Sequence, residues 1–132
     1  MKRFIFFAAI LAISALIPLG NAGAQPLNDE CLTAEAVGEG SFPWDNTGSL
    51  IEGPIDCDAN MATDVWFLYT PTASGNAVIE TCLGGGTNDD TVLIVYDGLA
   101  GCPTAGAPCL ASGDDECENV AGGAGFMSQV QI

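Results

Sequence analysis

Thr91-Val-Leu-Ile-Val-Tyr96 is the most β-prone stretch of the chain, and the turn-forming pair Asp97-Gly98 follows it directly. β-Branched and aromatic residues in such a run are typical of a strand. Residues 64–70 have the same character and end at Pro71, which cannot donate to a strand ladder. Because apolar residues occupy both faces of 64–70, we expect a central strand that is covered, at least in part, on both sides.

Other segments show weaker strand patterns, in which apolar and polar residues alternate. The candidates are residues 76–82 and 126–132, and the shorter segments 49–51 and 110–111. Near the N-terminus, Asn28 precedes two acids, which predicts a helix cap and one or two short turns over residues 31–37. Several short strands separated by Gly, Asn, Asp and Pro predict an all-β fold, an antiparallel β-sandwich.

The first 24 residues have the three-part pattern of a secretory signal peptide. Lys2 and Arg3 give a positive start, residues 4–19 are almost entirely apolar, and Ala22-Gly23-Ala24 fits a signal-peptidase site. The apolar run is short for a membrane span, which takes about 20 residues. We therefore expect a signal peptide at 1–24, one domain at 25–132, and a secreted, extracellular or cell-surface protein.

Charge is distributed very unevenly along the chain. The 132 residues include 17 acids and 2 bases, for a formal net charge of −15, and both bases precede residue 4. Residues 25–132 therefore contain no Lys, Arg or His and carry a formal side-chain charge of −17. This excludes nucleic acid and anionic membrane surfaces as partners, because both need cationic side chains. It also excludes catalysis that depends on His, Lys or Arg.

Six cysteines lie in the predicted domain, and an even number in a short exported chain predicts disulfides. Sequence alone allows 15 pairings. Short spacing favours Cys102–Cys109, across a segment with two prolines and a glycine, and we expect Cys31–Cys57 and Cys82–Cys117 for the rest. No Cys-x-x-Cys pair and no His occur, so a zinc site is not expected.

In order along the chain, several motifs together resemble the bacterial pre-peptidase C-terminal domain family and its secreted relatives. The motifs are Asn28-Asp-Glu-Cys31, Asn46-Thr-Gly48, Asp64-Val-Trp-Phe-Leu-Tyr-Thr70, Ala73-Ser-Gly75, Thr81-Cys82, Asp90-Thr-Val-Leu-Ile-Val-Tyr-Asp97 and Gly113-Asp-Asp-Glu-Cys117. The resemblance covers residues 27–132. It implies a jelly-roll-like β-sandwich without catalytic activity, attached to a larger exported protein, and related modules bind calcium.

The same resemblance indicates a role in secretion, localisation or attachment to a substrate, such as an extracellular polysaccharide or protein. Members of the family usually continue for several strands beyond the position of Ile132. The chain stops within a strand pattern, so we expect a domain that is incomplete at its C-terminal end. We expect no enzymatic activity from it.

Acidic residues gather at the ends of the predicted strand 91–96. Asp89 and Asp90 precede it, and Asp114 and Asp115 lie in the most acidic loop. These four could supply the hard oxygen ligands that Ca²⁺ requires, and they form our predicted metal site. Asp97, paired with Asp115 or Glu116, is the competing arrangement. Asp90 and Asp97 cannot share an ion, because a straight strand holds them more than about 20 Å apart.

Aromatic residues suggest a different function, since sugar rings pack against aromatic faces. We expect Trp66, Phe67 and Tyr69 to lie in the core, which leaves Trp44 as the aromatic residue nearest a surface and the predicted contact of a carbohydrate-binding module. A small acidic glycosidase is a third hypothesis, because that reaction needs only two carboxyl groups. Nothing in the sequence selects such a pair.

Overall fold

The computed structural model describes residues 24–82, 90–119 and 126–132, without the side chains of 118 and 119. These residues form an all-β fold in which no helix reaches seven residues. The strands are β1 (Glu35–Val37), β2 (Phe67–Tyr69), β3 (Val78–Glu80), β4 (Val92–Val95), β5 (Ala111–Asp114) and β6 (Gln129–Gln131). Short 3-10 turns cover Cys31–Thr33, Gly98–Ala100 and Glu116–Asn119. In this part of the chain no helix has the length and apolar character to cross a membrane.

The first strand pair is parallel, with Glu35 opposite Phe67 and Val37 opposite Tyr69. The expectation of an antiparallel arrangement is therefore wrong for β1 and β2. Parallel strands need a long crossover, and residues 38–66 are long enough to provide one. β1 also lies in a region where the sequence predicted helical turns.

The predicted helix cap at Asn28 does not form. Its side-chain amide instead donates to the carbonyl of Trp66 at 3.2 Å, and the Trp66 N–H donates to the Asn28 carbonyl at 2.8 Å. The 3-10 turn at Cys31–Thr33 begins after Glu30, whose side chain makes no capping bond. Pairing with the segment that leads into β2 thus replaces the local cap, and the chain is extended again by Glu35.

The apolar strand β2 is more exposed than its composition predicts. Phe67 and Leu68, on opposite faces, are 37% and 49% exposed, and β2 pairs with β1 alone among the described strands. The expectation of a central strand covered on both faces is thus wrong for this part of the chain. The Trp66 carbonyl accepts from the Glu35 N–H of β1, but the Trp66 N–H donates to the Asn28 carbonyl, which lies outside any strand. The strand therefore begins only at Phe67.

The other two pairs are antiparallel: β3 with β6, and β4 with β5. Residues 126–132 bring the two pairs together. Ile79 faces Val130 across the first pair, while the Thr91 N–H donates to Phe126 O at 2.9 Å and the Cys117 N–H to Met127 O at 3.0 Å. The backbone of β6 passes so close to β5 that only glycine fits at residue 113.

A small core lies at this junction. Met127 and Ser128 are fully buried, and Cys82 and Cys117 are 3% and 0% exposed. The Ser128 N–H lies 3.0 Å from Thr81 Oγ1 and 3.1 Å from Thr91 Oγ1, and the Ser128 hydroxyl donates to the Thr91 carbonyl. A buried polar group is costly without partners, so this network allows the serine to remain inside.

Three disulfides cross-link distant parts of the chain, and they are typical of an oxidising, extracellular environment. Cys82–Cys117 forms as expected. The predicted pairs Cys31–Cys57 and Cys102–Cys109 are wrong, because the bonds are Cys31–Cys102 and Cys57–Cys109.

The segment between β4 and β5 explains this difference. It docks on the N-terminal half of the chain, where the Gly106 N–H donates to Asp56 Oδ2 at 2.6 Å. Its two cysteines therefore face distant partners, and the short spacing between them does not decide the pairing.

Candidate metal site

The pairing of β4 with β5 brings acidic residues together at one end of the hairpin. Val92 lies opposite Asp114, so residue 90 approaches the end of β5. One carboxylate oxygen from each of Asp90, Asp114 and Asp115 lies within 4.8 Å of the other two. Asp90 and Asp115 are exposed and Asp114 is half-buried. This triad contains three of the four acids that the sequence selected.

Local backbone structure positions the two acids that follow β5. Asp115 has a φ of 70°, in the left-handed region, where Asp is more acceptable than most residues. This turn ends β5 and leads into the 3-10 turn Glu116–Asn119. The reversal lets Asp114 and Asp115 both approach Asp90, which consecutive residues of a regular strand could not do because their side chains alternate.

The other predicted ligands are not among the three clustered acids. Asp89 lies outside the described residues. Asp97 is at the opposite end of β4, where its Oδ1 accepts from the Leu99 N–H at 2.9 Å and caps the 3-10 turn Gly98–Ala100. The arrangement that joins Asp97 to Asp115 is therefore not formed.

Glu116 is not one of the three clustered acids, and its Oε2 accepts from the Gln129 N–H at 3.3 Å. Slight burial acts to raise the pKa of Glu116, but hydrogen bonds from the Asp114 and Gln129 N–H groups hold it below its usual value. This carboxylate thus connects β6 to the end of β5.

The amide of Asn60 is a neighbour of the triad that the sequence did not predict. Its Nδ2 donates to Asp114 Oδ2 at 3.0 Å, across 54 residues of sequence. The Asn60 N–H also donates to Asp58 Oδ1 at 2.8 Å, which is a local turn. Asp and Asn two residues apart are typical of a local turn, so the turn itself could be found in the sequence. The contact of Asn60 with Asp114 depends on the tertiary fold.

A second set of carboxylates binds backbone rather than forming a ligand cluster. Asp29, only 7% exposed, accepts from the Leu50 N–H at 2.9 Å, and Glu52 accepts from the Cys31 N–H at 2.7 Å. Asp64 accepts from the Gly53 N–H at 2.7 Å. Burial raises the pKa of Asp64, although the Gly53 and Glu52 N–H groups act in the opposite direction. These acids hold residues 50–53 in place.

The aromatic residues are only partly in the core. Trp66 and Tyr96 are half-buried and their ring centres lie 6.2 Å apart, while the Tyr96 hydroxyl donates to Pro54 O at 3.0 Å. Tyr69 is also half-buried, but Phe67 is exposed, so the prediction that it lies in the core is wrong here. Trp44 is half-buried, beside the 40% exposed Phe42 two residues earlier.

A cavity of about 290 Å³ lies at the N-terminal turn, far along the chain from the triad. It is lined by Gln25, Pro26, Leu27, Asp29, Glu30 and Thr33.

Comparison of the chain with sequence models of protein families, with curated proteins and with solved structures found no match.

Proposed function

We propose that the chain is a secreted, non-catalytic β-sandwich module that attaches, localises or stabilises a larger exported protein. The arrangement of Asp90, Asp114 and Asp115 supports this proposal most directly, because three carboxylates this close together could hold a calcium ion. The resemblance to the pre-peptidase C-terminal domain family, the six paired cysteines and the export pattern of residues 1–24 support it as well.

The distances in the triad fit a calcium ion. Ca²⁺ binds oxygen ligands at about 2.3–2.6 Å, so two oxygens on one ion are at most about 5 Å apart. The triad oxygens satisfy this limit. Three carboxylates would supply part of the six to eight ligands that Ca²⁺ takes, and backbone carbonyls or water would complete the shell. A bound ion would neutralise like charges and connect the start of β4 to the end of β5.

The chemistry of the described carboxyl groups also favours a non-catalytic role over a glycosidase. A general acid in that reaction needs a raised pKa and access to the glycosidic oxygen. Asp64 has a raised pKa, but it accepts hydrogen bonds from the N–H groups of Glu52 and Gly53. It is therefore oriented toward the backbone of its own domain.

Calcium should stabilise the exported protein, and one aspartate at each end of β4 provides a matched test. At 100 times its dissociation constant, a ligand adds about 2.7 kcal/mol, which raises the Tm of a domain of about 100 residues by roughly 10 °C. We expect Asp90→Asn to abolish most of this shift. Asp97→Asn removes the same charge but retains an oxygen that can cap the turn, so it should keep the full shift.

The measurement is thermal unfolding followed by circular dichroism, with millimolar Ca²⁺ and with chelator. An unchanged Tm in the unsubstituted protein would contradict the calcium site. An equal loss of the shift in both variants would show that general charge, rather than the triad, is responsible.

A carbohydrate-binding module is the second candidate function. Exposed Phe42 and half-buried Trp44 flank Pro43, so two aromatic side chains lie close together along the chain near the surface. Retention on an insoluble polysaccharide that Trp44→Ala weakens would favour this function over attachment through protein contacts.

A further inference from the structure

Gln25 occupies a special position if the chain is exported as proposed. Cleavage after Ala24 would make Gln25 the first residue of the mature protein, with Pro26 next to it. The α-amino group created by the cleavage would then belong to a residue whose side chain ends in an amide. The inference that follows therefore rests on the proposed export.

The structure leaves the Gln25 side chain accessible. Gln25 is exposed at the edge of the N-terminal cavity, and neither its side chain nor its N–H bonds to another described residue. Ordered contacts begin immediately after it, where the Asp29 N–H donates to Pro26 O at 3.2 Å. No hydrogen bond among the described residues therefore has to break for the α-amino group to meet the Gln25 amide.

We propose that the mature protein carries a pyroglutamate at residue 25. The α-amino nitrogen attacks Cδ of its own side chain, and a nitrogen–Cδ bond closes a five-membered lactam. The Cδ–Nε2 bond breaks, and Nε2 leaves as ammonia with a proton from the attacking amine. Nothing is oxidised or reduced. An α-amino group titrates near pH 8, so a reactive unprotonated fraction exists at neutral pH.

The modification would remove the one positive charge of the mature chain. Residues 25–132 contain no Lys, Arg or His, so the α-amino group is the single cation of the mature chain at neutral pH. The lactam nitrogen is not basic. Cyclisation would leave a chain without any positive group, and it would block aminopeptidases, which bind a free α-amine.

The absence of lysine makes the test unusually direct, because an amine-reactive ester can label only the α-amino group of the mature chain. The full chain is produced in a secreting host, purified from the exported fraction, incubated at neutral pH, labelled after denaturation, and weighed intact. We expect a species that starts at residue 25, is lighter than the free form by about 17 Da, and takes no label.

Gln25→Asn is the matched control. It keeps the amide but shortens the side chain by one methylene, so that the same attack would have to close a strained four-membered ring. This variant should start at residue 25, show no mass deficit, and take one label. A mass deficit in a chain that still takes label would place the loss of ammonia at another residue and overturn the proposal.

Two further outcomes are distinguishable. A mature chain that starts at residue 25 but remains fully labelled and undiminished in mass after incubation would overturn the cyclisation and leave the proposed export intact. A chain that starts at any other residue would contradict cleavage after Ala24, and the modification with it.

Discussion

Replacing both Cys82 and Cys117 with alanine is expected to cause the largest loss of stability of any single disulfide removal in this protein. Their bridge spans 35 residues, for which loop-closure entropy gives about 4 kcal/mol. Both side chains are buried against Met127, so their packing is lost as well. Small domains are stable by only about 5–15 kcal/mol, and we therefore expect the variant to be largely unfolded at 37 °C.

The matched control is the double replacement of Cys57 and Cys109. This bridge closes a longer loop, across 52 residues, but its cysteines are half-buried. Entropy alone predicts that its removal costs slightly more, whereas burial predicts that it costs less. Guanidinium unfolding followed by circular dichroism measures both variants. An equal or greater loss in the Cys57/Cys109 variant would contradict a core centred on Cys82, Cys117 and Met127.

Gly113→Ala is expected to destabilise the domain by about 1–3 kcal/mol, although it adds a single methyl group. A Cβ at this position would lie 2.5 Å from the backbone oxygen of Gln129 and 2.9 Å from Val130 Cγ1. A backbone oxygen cannot rotate away as a flexible side chain can. β5 and β6 would therefore have to separate, and the adjacent Asp114 would move with β5.

Gly38→Ala controls for the loss of glycine itself. A Cβ there would meet nothing within 4 Å, and the backbone of Gly38 is not left-handed. Alanine restricts the unfolded chain more than glycine, so this variant should be unchanged or more stable by up to about 1 kcal/mol. Chemical denaturation of both variants compares them. Equal stability of the two would show that β5 and β6 do not approach as closely as described.

Strand β4 could be predicted from the sequence because its signal is entirely local. Four consecutive β-branched or aliphatic residues between turn-forming residues leave few alternatives to a strand. β2 has an equally apolar sequence, but it is shorter than predicted. The N–H of the preceding residue, Trp66, donates to the Asn28 carbonyl, and the Asn28 side-chain amide donates to the Trp66 carbonyl. The partner strand β1 lies in a segment with helix-start residues. Neither partner is visible in a local pattern.

The disulfides show the same distinction between local and tertiary information. Six cysteines predict three bridges, but their pairing depends on where the segment between β4 and β5 docks. Spacing in the sequence favoured a bond between Cys102 and Cys109. In the fold, Cys102 bonds to Cys31 and Cys109 bonds to Cys57, both on the N-terminal half of the chain. A short loop is easy to close, but a disulfide forms across it only if the folded chain brings the two cysteine side chains face to face.

The candidate site was predictable to the extent that strand geometry determined it. The length of the strand from 91 to 96 separates Asp90 from Asp97, and this indicated that the acidic loop lies near one end of the strand and not near both. The choice of the Asp90 end over the Asp97 end required the register of β4 with β5. The contact from Asn60 required the tertiary fold and had no counterpart in the sequence pattern.

The disulfide map of the exported protein tests most directly whether this chain is an exported domain with the fold described. Trypsin cannot cut residues 25–132, but proteases that cleave at acids place Cys31 and Cys57 on separate peptides. Cys102 and Cys109 remain together on the acid-free stretch 98–113. With the bonds described, mass spectrometry without reductant should find residues 98–113 joined both to the peptide that contains Cys31 and to the peptide that contains Cys57. Recovery of 98–113 alone with an internal bridge, or with free thiols, would contradict the fold.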